Sequence, residues 1–163
     1  MQGMYKTTVW GRAEAGRMSS AAAATPAVRF DTKIVVLLSD DLAAWQELNV
    51  TAFLISGIAT SAPDLVGEPY RDGDGAEYLP MLRQPVVVMT GDAEVLAAAR
   101  VRAASRDVTP AVYTRDLFAT GHDEANREAV AAVASDALDL VGIAVRGPRN
   151  TVDRIVKGAR LHG

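Results

Sequence analysis

No cysteine occurs in the 163-residue sequence. That excludes disulfides, thiolate metal sites and cysteine nucleophiles, and it fits a reducing, cytoplasmic setting. Histidine is nearly as scarce, with two residues, too few for a histidine-rich zinc site. Positive charge is not in surplus: 17 basic residues face 20 acidic ones, for a net charge of −3. Domains that grip duplex nucleic acid over a wide footprint are usually basic, so broad nucleic-acid binding is disfavoured. No apolar run reaches the roughly 18 residues needed to span a bilayer, so no membrane partner is expected. The N-terminus lacks the long apolar core of a secretory signal. Residues 1–30, with Lys6, Arg12, Arg17, Ser19-Ser20 and Ala21 to Ala24, read as a flexible tail or as chain upstream of a start at Met18. An organellar presequence is the lesser reading.

Familiar ligand motifs are missing as well. There is no G-x-x-x-x-G-K-[ST] run, no G-x-G-x-x-G after the first strand, no G-x-S-x-G elbow and no H-E-x-x-H pair. No cofactor and no metal are expected. Asp72 and Asp74 in the Arg71–Gly75 stretch lack the remaining ligands of a calcium loop, and Asp-Gly there reads as a hairpin turn.

What is present is the pattern of one globular domain, residues 31–163. Just under half the residues are apolar, enough for a core of useful size. Ile34 to Leu38 is an unbroken apolar run, the mark of a strand covered on both faces. Ser39, Asp40 and Asp41 follow as candidate N-caps. Trp45, Leu48, Ala52, Ile55 and Ala59 recur at helical spacing, and further apolar residues fill the other faces, which predicts a deeply buried helix. Val86 to Met89 is a second strand, and Asp92 caps the helix after it. Thr109 to Tyr113 is a third strand, followed by a helix over residues 124–135. Leu140 to Val145 is a fourth, and Gly147-Pro148 opens a last helix. Strands alternating with helices predict a three-layer α/β/α sandwich around a mostly parallel four-stranded sheet. In such sheets ligands gather beyond the carboxyl ends of the strands. Three loops qualify: 39–46, 90–92 and 114–123.

The last of these carries Asp116, Thr120 and His122. An aspartate can orient water, a threonine hydroxyl can donate to an oxyanion, and a histidine can shuttle protons near neutral pH. The same stretch also supplies what the cap of the next helix requires, and capping is the simpler reading. Asp41 and its neighbour Asp40 have two readings too, a shared-proton pair or a cap beside a solvated carboxylate. Glu47 is a candidate base only if it faces the pocket. Trp45 and Phe118 suit core packing or a pocket wall, and Gln46 belongs to the same first helical turn. Arg146 and Arg149, around Gly147-Pro148, place two cations where an anion or plain solvent can sit.

Several segments together resemble the type II peptidyl-tRNA hydrolase fold. They are "KIVVLLSDDL" at Lys33 to Leu42, "RQPVVV" at Arg83 to Val88, Asp116 with Thr120 four residues on, and "GPRNTVDRIVKGARL" at Gly147 to Leu161. A closer resemblance is to the domain of unknown function 2000 family, carried by "DDLAAWQELNV", "GEPYRDGDG", "YLPMLRQPV", "LFATGHDEAN" and "LVGIAVRGPR". The resemblance implies a site near Asp116, Thr120, His122 and Asn49, with Asp41, Trp45, Gln46, Arg83 and Phe118 around the ligand. One departure bears on chemistry. Where the hydrolases carry a glycine-lysine turn, this chain has Ala43 to Val50, and Asn49 is the nearest counterpart of the lysine. A carboxamide in place of an ammonium loses the attraction for phosphate or a developing oxyanion. That argues against peptidyl-tRNA cleavage and against tRNA as a partner. Two readings remain in balance: a hydrolase of a small ester or amide, or a non-catalytic module binding a small molecule or peptide. A homodimeric assembly role is a third, to which the amphipathic helices lend no separate support.

Overall fold

The structure is a computed structural model that describes residues 29–163. The expected N-terminal tail lies, up to residue 28, outside the described residues. Strand β1 (Thr32–Ser39) leads into helix α1 (Ala44–Ser61). A 3-10 turn (Pro63–Leu65) and a small hairpin of β2 (Tyr70–Arg71) and β3 (Glu77–Tyr78) follow. Next come β4 (Val86–Gly91), α2 (Ala93–Ala104), β5 (Ala111–Thr114), a 3-10 helix (Arg115–Ala119) and α3 (Asp123–Ala131). Strand β6 (Leu140–Pro148), α4 (Arg149–Ile155) and β7 (Arg160–Leu161) close the chain.

The main sheet has the order β5-β6-β1-β4-β7. Only β1 and β4 are parallel; β1–β6, β4–β7 and β5–β6 are antiparallel. The expected mostly parallel four-stranded sheet is thus corrected to a five-stranded, mostly antiparallel one. The physical reason is plain. An unbroken apolar run reports that a strand is covered on both faces, and a central antiparallel strand meets that condition as well as a parallel one. Strand β6 does so by entering between β1 and β5 instead of extending the sheet edge.

The layers follow from the alternation of β1. Ile34, Val36 and Leu38 face α1, joining Val50, Leu54 and Ile58. Val35 and Leu37 face the other way, onto Leu96 and Ala99 of α2 and Val152 and Ile155 of α4. Helices therefore cover both sides. The Asp92 carboxylate accepts from the Val95 N–H at 2.9 Å, the cap expected for α2. Helix α4 and the residue after it bury Val152, Ile155 and Val156. The hairpin forms at the Asp-Gly stretch, where Asp72 accepts from the backbone of Asp74 and Ala76 and from the Tyr78 hydroxyl.

Helix α1 departs from expectation. Its buried stripe is Val50, Leu54 and Ile58, while Trp45, Leu48 and Phe53 are 62%, 74% and 53% exposed. The helix is covered on one side only, and its surplus of apolar residues lies open. Strand β7 was not visible in the sequence. Gly158, at φ +100°, turns the chain after α4, so that Arg160 and Leu161 pair with Thr90 and Met89. Among the described residues no helix is long and apolar enough to cross a membrane.

Candidate functional site

Because β5 and β1 both run antiparallel to β6, and β4 runs parallel to β1, the carboxyl ends of β1, β4 and β5 share one edge. The loops after those strands therefore meet there, as the sheet-edge rule requires. They are tied by ion pairs. Asp41, just after β1, accepts from Ser39 Oγ at 2.8 Å and meets Arg115, just after β5, at 2.9 Å. Arg115 reaches on to Asp139 at 3.0 Å. Asp40 pairs with Arg160 of β7 at 2.8 Å. Neither carboxylate caps α1, and the expectation that one would is corrected. The helix starts beyond them, at Ala44, and Gln46 Oε1 accepts from the Ala43 N–H at 2.9 Å instead. Glu47 is drawn to His162 at 3.1 Å, on the opposite flank of α1 from His122.

The Ser39 hydroxyl and, against the opposing pull of partial burial, the Arg115 guanidinium hold the Asp41 carboxyl below the usual carboxylate range. A carboxyl depressed in the folded state stabilises it above the unfolded pKa, and that gain disappears as the pH falls through the lower folded value. The pair is solvent-exposed, so the gain is small. Melting temperatures recorded from neutral pH down through about pH 4 are expected to fall slightly less for Asp41→Asn than for the parent protein.

Between α1, the loop after β5 and the start of α3 lies a cavity of about 620 Å³. Its floor is a chain of aromatic rings. Trp45 meets Phe118 edge-on at 5.7 Å, Phe118 meets Tyr113 at 5.2 Å, and Tyr113 meets Phe53 at 5.8 Å. Its polar wall holds Asn49, Thr120, His122 and Asn126. Burial pushes the Tyr113 hydroxyl up from its ordinary pKa, so it remains a phenol and donates to Asn49 Oδ1 at 3.2 Å. The Asn49 amide nitrogen is thereby left as a donor with no partner among the described residues. His122 is the N-cap of α3: its Nδ1 accepts from the Ala125 N–H at 3.3 Å, which leaves Nε2–H as the free donor. Neither Thr120 nor Asp123 caps α3. Thr120 Oγ1 donates to the Leu117 carbonyl at 2.8 Å and also meets Asn126 Oδ1. Asp123 pairs with Arg127 one turn along.

The structure thus brings Asn49, Thr120, His122, Trp45 and Phe118 around one space. It leaves others outside. Asp116 sits in the first turn of the 3-10 helix, exposed to solvent and not in the cavity wall. Arg83 precedes β4, whose amino end lies at the far edge of the sheet, and there it lines a small separate pocket with Asp64 and Arg146. Gln46 and Asp41 hold the start of α1 and the β1–β5 loop junction. Tyr113, Phe53 and Asn126 belong to the cavity and were not anticipated. Tyr113 could have been found as the side chain closing a strand at the ligand edge. Among the described residues no three histidine or acidic side chains converge as metal ligands would.

A fold of this topology, with an aromatic and amide-lined cavity at the shared strand ends, is a mixed α/β domain. The chain matches the model of a protein family of unknown function, DUF2000, over residues 32–163, and it belongs to that family. It is similar to a solved structure of a protein of unknown function, Atu0240 from Agrobacterium tumefaciens str. C58. The two are 51% identical, with a TM-score of 0.81, over 83% of this chain and 100% of that one. No curated protein matches the chain.

Proposed function

We propose that this domain binds a small organic molecule bearing a carbonyl or carboxylate on an apolar body, without transforming it. The observation that carries this reading is the pair of N–H groups, on Asn49 and His122, with no partner among the described residues, in a cavity also lined by Trp45, Phe118 and Tyr113. Donors of that kind suit an acceptor group, and the rings suit a flat or aliphatic body. Among the described residues no nucleophile in the cavity is matched with a base. The Thr120 hydroxyl is spent on the Leu117 carbonyl, and His122 Nδ1 is spent on the helix cap.

A hydrolase of a small ester or amide is the second reading. It is favoured by the same two donors, which could hold an oxyanion, and by Asp116 in the adjoining loop. The resemblance to the type II peptidyl-tRNA hydrolase fold supports the location, while Asn49 in place of a lysine speaks against tRNA. Under the binding reading, aryl and acyl carboxylates and amides raise the melting temperature, because a ligand that binds only the folded state stabilises it. Asn49→Ala weakens that binding by about fivefold to tenfold, the worth of one hydrogen bond. A panel that produces no thermal shift would remove the proposal. Ester or amide turnover by the parent protein that Asp116→Ala abolishes would replace it with the hydrolase.

A further inference from the structure

The cavity does not end at its polar wall. A second hollow of about 450 Å³ opens from it along α1 and α3. The two share Phe53, Ser56, Tyr113, Leu117, Asp123 and Asn126 in their walls, so they form two lobes of one groove. The second lobe exists because α3 stands off from the rest of the domain. No residue of α3 is fully buried, although Val130 and Ala125 face inward by half. Its floor is close-packed: Gly57 of α1 and Ala111 of β5 lie opposite each other, and a Cβ on Gly57 would come within 3.2 Å of the Ala111 Cβ.

Several polar groups bordering this lobe have partners within the chain. Ser56 Oγ donates to the Phe53 carbonyl at 2.6 Å, Asp123 is paired with the exposed Arg127, and Asn126 Oδ1 is set against the Thr120 hydroxyl, while the Asn126 amide nitrogen keeps its N–H donors. Away from these groups the lobe offers the apolar surface of Phe53, Val112, Val130 and Ala131. The part of a ligand that lies against that surface is best apolar itself, since a polar group there would lose its water without a partner.

Resting on the binding reading above, we infer that the ligand is a single-chain amphiphile: an unbranched acyl chain of medium length joined to an amide or carboxylate head. The head meets Asn49 and His122 over the aromatic rings, and the chain runs between α1 and α3 toward Val130. Recognition is then graded by chain length, because each methylene that enters the lobe leaves water.

The test is a series of N-acylglycines, from acetyl through butanoyl and hexanoyl to octanoyl, titrated calorimetrically into the full chain. Affinity is expected to rise about twofold to fourfold per methylene, the range for half to full burial of the group, and to level off once the lobe is full. Ala131→Phe, at an exposed site on the lobe's rim, is expected to flatten the rise. A series in which every member binds equally would overturn the acyl inference and leave the binding reading standing. So would tighter binding by an extended tetrapeptide than by octanoylglycine, with strand pairing to the outer edge of β5 as its cause. No binding by any member, nor by the wider carbonyl panel, would overturn both.

Discussion

Gly142→Ala is expected to lower the melting temperature by about 3–10 °C, the consequence of roughly 1–3 kcal/mol of overpacking in a domain of this size. Gly142 lies in β6 beneath α1. A Cβ there would sit 2.4 Å from Val50 Cγ1 and 2.9 Å from Leu54 Cδ1. Neither atom can yield cheaply. Val50 is β-branched and wholly buried, and Leu54 is nearly so. Helix α1 must therefore lift from the sheet, and Asn49 and Phe53 lift with it. A second effect follows: the variant should bind ligand more weakly than its lost stability alone explains. Val50→Ala removes the obstructing methyl groups, so Gly142→Ala/Val50→Ala should be less destabilised than the two single changes added together. Chemical denaturation of the four proteins measures this directly. Additive losses would mean that α1 does not rest on Gly142.

The close approach of α1 at Gly142 also shows where sequence periodicity stops. The unbroken apolar run of Ile34 to Leu38 was enough to place β1 between two layers, because each side chain of a central strand must be covered from one side or the other. It carried no information on strand direction, which depends on how β6 enters between β1 and β5. The stripe of α1 was misassigned for a related reason. With apolar residues on most faces, helical spacing fits several stripes, and the sheet surface selects Val50, Leu54 and Ile58. The apolar residues left over, Trp45 and Phe53, line the cavity. Two-residue β7 has no composition of its own, and its pairing comes from Gly158 and from the Asp40–Arg160 ion pair, both tertiary facts.

The candidate site was legible in part, because the rule that ligands gather at strand ends depends only on knowing where strands end. It pointed to the loop after β5, where Thr120 and His122 line the cavity, while Asn49, which lines it too, came from the resemblance. It could not say which side chains in a loop turn inward. Asp116 and Thr120 are four residues apart, yet the 3-10 helix between Arg115 and Ala119 sends the first to solvent and the second into the wall. Nor could it separate a cap from a site. His122 is both, since accepting from Ala125 with one ring nitrogen is what frees the other as a donor.

Tyr113 is where the stability of the cavity and its chemistry meet, and two substitutions separate them. Tyr113→Ala is expected to cost about 3–5 kcal/mol, as for other large aromatic truncations. Its ring is buried against Phe53 and Phe118, and its loss also undoes the floor of the cavity. Tyr113→Phe keeps the ring and removes only the hydroxyl, so its cost should stay near 0.5–1.5 kcal/mol. The effect on binding should be the larger one. Without the phenol, nothing fixes Asn49 Oδ1 inward, and the amide can turn its oxygen toward the incoming acceptor. Ligand affinity is therefore expected to drop about tenfold in a protein that melts only about 2–5 °C below the parent. A Tyr113→Phe protein that binds as the parent does would show that the amide is oriented by something other than the phenol. The donor role given to Asn49 would then lose its physical cause.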